Sequence, residues 1–355
     1  MRLIAYYLPQ FHTIKENDIW WGKGFTDWVS VRNAKPLFEG HIQPQEPDDE
    51  LGYYNLLDAG IRSRQAQMAQ YAGIEGFCYW HYWFGGKQLL ETPFNEVLRS
   101  GKPDFPFCLA WANESWRAKE WSVKSGKKDK ILIEQTYPEG DIEKHFYAVL
   151  PALKDKRYIK VHDKPLFVIY RPLDMKGPKE FIKQWNKLAK DNGLNGMYFV
   201  GHTLYSNQTE DILHLGFDAV NIVPLGDCRR NIKLLLKNYR QMLKYLIRKE
   251  PFMFPYSDLA SCINMQQYKQ ENIIPTIIPN WDHTPRSGIH GFVLRDSTPE
   301  KFAEQIRIVK ESIQDKQEQI VFLKSWNEWG EGNYMEPDKR WGRQYIDTLK
   351  REAER

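Results

Sequence analysis

Short apolar runs alternate along this 355-residue chain with longer stretches whose apolar positions recur at helical spacing. Apolar runs of about 4–8 residues bounded by turn signals read as buried strands. The pattern predicts strands at Leu3–Leu8, Gly76–Trp80, Phe107–Trp111, Leu166–Tyr170, Tyr198–Gly201, Ala219–Val223, Ile273–Ile278 and Ile320–Trp326. Helices are predicted at Leu56–Tyr71, Asp141–Leu153, Lys179–Asp191, Gln208–Leu215, Lys233–Arg248, Pro299–Gln314 and Trp341–Glu354. Strand–helix alternation of this kind specifies an α/β chain, and here a (β/α)8 TIM-like barrel with long βα loops, 1–355 forming one catalytic barrel. A doubly wound open sheet is the competing architecture, but no GxGxxG or GxxxxGK[ST] follows an early strand.

Two connections are long. The first, about 11–54, contains DIWWGKGFTDW and FEGHIQPQEPDDELGYY; it is too aromatic for a disordered segment and reads as a wall of the site. The second is an insertion at about 228–272 that includes the basic, amphipathic stretch RRNIKLLLKNYRQMLKYLIRK. Its first reading is the barrel's sixth helix with a solvated basic face. Its second is a surface for peripheral contact with a membrane or an acidic partner.

In a barrel, reactive groups belong just beyond the C-terminal ends of the strands. Polar residues gather there: Gln10 and His12 after the first strand, His81 and Tyr82 after the second, Asn113 and Glu114 after the third, and Arg171 after the fourth. His202 follows the fifth, Asn280, Asp282 and Arg286 the seventh, and Asn327, Glu328 and Glu331 the eighth; the sixth offers only Asp227. The densest cluster lies in VFLKSWNEWGEGNYMEPD, where Gly330 and Gly332 permit a tight backbone path. Glu328 and Glu331, three residues apart and flanked by Trp326 and Trp329, suggest acid/base chemistry in which surroundings hold one carboxyl neutral and leave the other ionised.

Composition sharpens this picture. A net charge of +4 gives no case for nucleic acid, and no apolar run is long enough for an integral membrane helix. The chain opens on strand-like residues without a visible signal peptide, so the expected compartment is the cytoplasm. Cys78, Cys108, Cys228 and Cys262 lack metal-ligand spacing, and the first two, inside predicted strands, are expected to be reduced and buried. Aromatic residues make up 14% of the chain, and Trp20, Trp21, Trp28, Trp80, Trp83, Trp116, Trp121, Trp281 and Trp329 lie in or near polar loops. Indoles beside hydrogen-bonding groups suit a pyranose, which offers an apolar face and a rim of hydroxyls.

Other chemistries lack support. His12, His81, His202 and His283 come without HExxH, HxH or a Cys pair, so no metal or other cofactor is expected. No GxSxG marks a serine nucleophile, and no DxD marks a metal–nucleotide site. Carboxylate chemistry remains, either Glu328 with Glu331 from one strand end or Glu114 (AWANESW) with Glu328 (KSWNEW) across two. The candidate glycan-binding set is Tyr7, His12, Trp28, Tyr79, His81, Trp111, Asn113, Glu114, Arg171, His202, Trp281, Asp282, Arg286, Trp326, Asn327 and Trp329.

The motif SWNEWGEGNYMEPD resembles the C-terminal motif of the WbsX family, often labelled glycosyltransferases or lipopolysaccharide biosynthesis proteins. AYYLPQFH, GFTDWVSVRNAKPLFEGHIQPQEPDDELGYYNL, GFCYWHYWFGGKQLLETP, CLAWANESW, KPLFVIYRP and IPNWDHTPR are similar to WbsX segments in the same order. That family is related to glycoside hydrolase family 99, the endo-α-mannosidases and endo-α-mannanases. The resemblance implies a barrel acting on an oligo- or polysaccharide by a retaining mechanism: Glu328 as general base on the substrate's 2-hydroxyl, Glu331 as general acid and then base, and Glu114 as an orienting acid. It leaves open a hydrolase of mannan-like or bacterial surface glycans, a transferase or transglycosylase of surface-polysaccharide assembly, and an inactive carbohydrate-binding barrel.

Overall fold

The computed structural model describes residues 1–117 and 130–354; Trp121 lies outside them. Eight parallel strands close on themselves: β1 (Arg2–Tyr7), β2 (Gly76–Phe84), β3 (Phe107–Trp111), β4 (Lys164–Ile169), β5 (Tyr198–Thr203), β6 (Ala219–Ile222), β7 (Ile273–Ile277) and β8 (Ile320–Leu323). Each pairs with its sequence neighbour, and β1 closes the ring by pairing with both β2 (Ile4 opposite Gly76) and β8 (Arg2 opposite Ile320). Side chains enter the ring from one face of every strand and helices cover the other, so both faces are apolar. Cys78 and Cys108 sit opposite each other in β2 and β3 as free buried thiols.

The helices follow the predicted periodicity closely, with Asp141–Leu153 and Pro178–Asp191 packed outside β3 to β5. Trp185 is fully buried between them, its indole N–H donating to Ile142 O at 3.0 Å while its ring lies 4.7 Å from that of Phe167. Asp58 caps Ala59–Tyr71 by accepting from the Gly60 amide at 2.7 Å, so this helix starts later than the apolar pattern alone suggests.

Three expectations need correction. The last strand ends at Leu323 rather than Trp326, and the chain turns into a separate two-residue pairing of Asn327–Glu328 with Asn333–Tyr334. The first long loop carries two short helices, Lys15–Trp21 and Asp27–Asn33. The predicted helix Lys233–Arg248 is split at Asn238 into Ile232–Lys237 and Tyr239–Arg248, and the second piece buries none of its residues. A disulfide, Cys228–Cys262, ties the start of this segment to its return, a pairing that spacing alone had not indicated.

Truncating Trp185 to Ala should leave a large cavity between barrel and helix layer and cost about 3–5 kcal/mol. Chemical denaturation monitored by circular dichroism would show it as a lowered midpoint.

Candidate active site

Strand alternation decides which side chains reach the C-terminal mouth of the barrel. Tyr6 points inward, stacked 4.8 Å from Phe322 and 4.9 Å from Trp80, with its hydroxyl donating to Asn221 Oδ1 at 2.8 Å. Trp80, Tyr170, His202 and Lys324 share that inward side and floor a cleft of about 610 Å³. Tyr7, one residue on, turns outward and donates to Gln65 Oε1 at 2.7 Å. Tyr79 likewise packs outward against Tyr7 and Phe94. His81 meets His145 at 2.9 Å outside the ring, and burial pushes it down to about 4. Trp111 packs on Phe181 and His145. None of these four lines the cleft.

The loop after β8 builds the reactive corner. Trp329–Glu331 forms a single 3₁₀ turn beginning at Glu328. Residues three apart eclipse in such a turn, so Glu328 and Glu331 share one face and both open into the cleft. The intervening Trp329 is driven into the core, where its ring stacks 3.7 Å from Tyr334 and its N–H donates to Glu336 Oε2 at 2.7 Å. Trp326 is also fully buried, beside Phe77. The two indoles flanking the acids in sequence therefore support the turn from behind instead of walling the cleft.

Arg286 links the acids. Its Nη1 donates to Glu331 Oε1 at 2.9 Å, and Nη2 lies 2.6 Å from Glu328 Oε1 and also donates to Asp27. Gly330 makes this approach possible, because a Cβ there would sit 2.6 Å from Arg286 Nε. The contact with Glu328 is an ion contact without hydrogen-bond alignment, so Glu328 Oε1 is left without a hydrogen bond among the described residues.

The electrostatic outcome is asymmetric. Burial, reinforced by the charges of Glu331 and Asp27, pushes Glu328 up to about 8; Arg286 and Lys324 oppose this only in part. Burial acts on Glu331 in the same sense, but His283, 3.4 Å away, together with Arg286 and Lys324, holds it well below the usual carboxylate range. Near neutral pH the unliganded pair carries one proton, on Glu328.

The remaining candidates divide. Glu114 lies across the cleft, 3.3 Å from Arg171 Nε, and His202 and Trp281 line it too. Burial, with the positive charges of Lys324 and Arg171, pushes His202 down to about 3, so its imidazole is neutral. His202 Nε2 and Trp281 Nε1 are buried without a hydrogen-bond partner among the described residues.

Other candidates act as struts. Asn113 exchanges two hydrogen bonds with the Arg171 backbone, and Asn327 does the same with Leu8. Trp28 donates to Tyr54 O at 2.7 Å and packs on Phe11 and Trp329. His12 is buried away from the cleft. Asp282 also faces away, accepting from His41 (2.8 Å), Gln43 (2.5 Å) and Thr284, and so fastens the first loop to the seventh. Asp27, Tyr170 and Lys324 line the cleft although the sequence reading passed over them. Asp27 had a legible signal in the GFTDW stretch of the loop assigned as a wall.

An eight-stranded barrel that gathers acids, a guanidinium and aromatic rings in one cleft at its C-terminal rim has the layout of a barrel enzyme. The chain belongs to the WbsX glycosyltransferase family, whose model, described as Glycosyltransferase WbsX, matches residues 3–349. Proteins described as uncharacterized protein WxcX from two Xanthomonas campestris pv. campestris strains are 34% identical over 357 residues, covering 98% of this chain and 49% of theirs. The chain thus spans about half the length of these relatives. Among solved structures, a glycoside hydrolase-like protein aligns with TM-score 0.63 at 14% identity over 99% of this chain and 93% of its own. The family 99 endo-alpha-mannosidase from Bacteroides thetaiotaomicron aligns with TM-score 0.57 at 19% identity over 99% and 96%. These likenesses establish the barrel fold.

Because Arg286 favours the ionised form of both acids, Arg286→Met should move both titrations upward, Glu328 further above about 8. Carboxyl ¹³C chemical shifts followed against pH would report this; unchanged curves would remove Arg286 as the coupling charge.

Proposed function

We propose that the protein is a carbohydrate-active enzyme, a retaining glycoside hydrolase of the family 99 type acting on α-linked mannan-like or bacterial surface glycans. The observation that carries this reading is the pair Glu328 and Glu331 in one aromatic-lined cleft, with proton affinities driven apart around a shared guanidinium. In the first step Glu328 takes the 2-hydroxyl proton, O2 bonds to C1, and the glycosidic C1–O bond breaks as Glu331 protonates the departing oxygen. In the second, water attacks C1, Glu331 takes its proton, and the C1–O2 bond opens as O2 regains a proton from Glu328. Neither carboxylate need touch C1, which suits two acids on one turn. Trp80, Tyr170 and Trp281 offer surfaces for the sugar's apolar face, and Glu114 with Arg171 orients its hydroxyls.

The unliganded proton distribution places a demand on this scheme. Glu328 must release its proton and Glu331 must gain one when glycan binds, for example through sugar hydroxyls drawing His283 or Arg286 away from Glu331. The resting state itself favours a second assignment, in which protonated Glu328 is the acid and ionised Glu331 the base. The same cleft also serves transfer to a sugar acceptor, the reading the family's description favours. Products formed from a mannan-like oligosaccharide with and without added acceptor sugar would distinguish hydrolysis from transfer.

Glu331→Gln should retain the fold and lose about 10²–10⁴-fold in turnover; near-normal rates would remove Glu331 from the chemistry. Both assignments use the pair with one proton on it, so kcat/KM should hold through neutral pH and fall as pH passes about 8, where that proton is lost. A rise through that window would require a fully ionised pair and overturn both assignments.

A further inference from the structure

The segment after β6 is held along one side only, its outer helix Tyr239–Arg248 resting through Tyr245 on Phe252, 6.0 Å between rings. The disulfide from Cys228 to Cys262 anchors one end, Leu234 is buried, and Lys237 and Asn238 bond to Asp258 at 2.6 and 2.9 Å. Beyond these contacts its outer side is bare and apolar. Of the fifteen large hydrophobic residues exposed among the described residues, seven fall within 232–247, the other eight being spread along 19–173. Ile232, Leu236, Leu246 and Ile247 are 65–76% exposed. On Tyr239–Arg248, residues 239, 243, 246 and 247 form one helical stripe, and Arg240, Lys244 and Arg248 run alongside it at spacing four. Ile232 and Leu236 extend the stripe onto the preceding helix, flanked by Lys233.

The charge is one-sided. Residues 229–249 contain Arg229, Arg230, Lys233, Lys237, Arg240, Lys244, Arg248 and Lys249 and no acid; of these, Lys237 is paired with Asp258 and Lys244 lies 3.9 Å from Glu250. We propose that this face docks on an anionic phospholipid bilayer, the apolar stripe entering the headgroup boundary while the flanking cations meet lipid phosphates. A solvated sixth helix would not present its largest aliphatic side chains to water. A two-fold pairing of this face with a second copy would set rows of like charge against each other without acids to neutralise them. Arg229 belongs both to the start of this segment and to the cleft lining, so the docked face borders the cleft.

The test uses the full chain and sedimentation with vesicles of phosphatidylcholine alone or mixed with phosphatidylglycerol. Binding should require phosphatidylglycerol and be lost near 1 M salt, where the Debye length falls to about 3 Å. Leu246→Ser with Ile247→Ser should weaken binding roughly tenfold or more. Lys233→Ala with Arg240→Ala should weaken it about 25-fold, near fivefold per charge. All four positions are exposed, and circular dichroism would confirm that the variants fold. Absence of binding, equal binding to both vesicle types, or variants that bind like the parent would overturn the proposal. A dimer in light scattering, dispersed by the Leu246/Ile247 pair in a protein that ignores vesicles, would assign the face to a second copy instead. The assay requires no turnover and is independent of the chemistry proposed above.

Discussion

One buried guanidinium faces three carboxylates, and this imbalance organises the cleft. Arg286 touches Asp27 from the first loop and Glu328 and Glu331 from the last, while itself arising from the seventh. A single positive charge cannot hold three acids ionised in a buried corner, and removing a partner from such a cluster leaves uncompensated charge. His283 and Lys324 bias the outcome toward an ionised Glu331. Glu328, the more deeply buried acid with the less aligned contact, keeps the proton. A proton-sharing pair therefore arises from counting charges as much as from any special property of either residue.

The same imbalance ties distant parts of the chain together. Asp27 lies about 300 residues before Glu328, yet both depend on Arg286. Parallel fastenings surround the corner. Asp282 holds His41 and Gln43, and Glu336 accepts from Tyr54, Gln65 and Trp329, with burial pushing its carboxyl up to about 7. Buried acids thus clamp the long first loop against the last. These networks lie at the C-terminal end of the barrel, beyond the reach of the strand-to-strand hydrogen bonds.

The strands were legible because each is a short apolar run between turn residues, and the barrel followed from their alternation with helices. Facing was less legible. A barrel strand is apolar on both sides, so periodicity does not tell Tyr6 from Tyr7 or Trp80 from His81, and several candidates taken from strand ends belong to the helix-facing layer. The Glu328/Glu331 corner was readable because acids, glycines and indoles crowd one short stretch. Trp329 still went the other way, since a 3₁₀ turn aligns residues three apart and opposes the one after the first. Lys324 carried too little local signal, and Asp27, although it lies in the loop read as a wall, takes its part only through Arg286, far away in the chain. The basic insertion showed its amphipathic spacing, but only the fold shows that its apolar side stays exposed among the described residues.

Gly330 and Gly332 leave no room for even a methyl group, one against Arg286 and the other against the backbone and Cβ of Asp282. The bank of the cleft that bears the acids is therefore closed to new side chains. Trp20, Trp21 and Trp116 line the cleft from the first loop and from the stretch after β3, and the glycines beside the first two, Gly22 and Gly24, have open space where a Cβ would stand. On the function proposed above, an engineer seeking altered sugar preference would diversify these aromatic positions and leave the glycine-backed turn untouched.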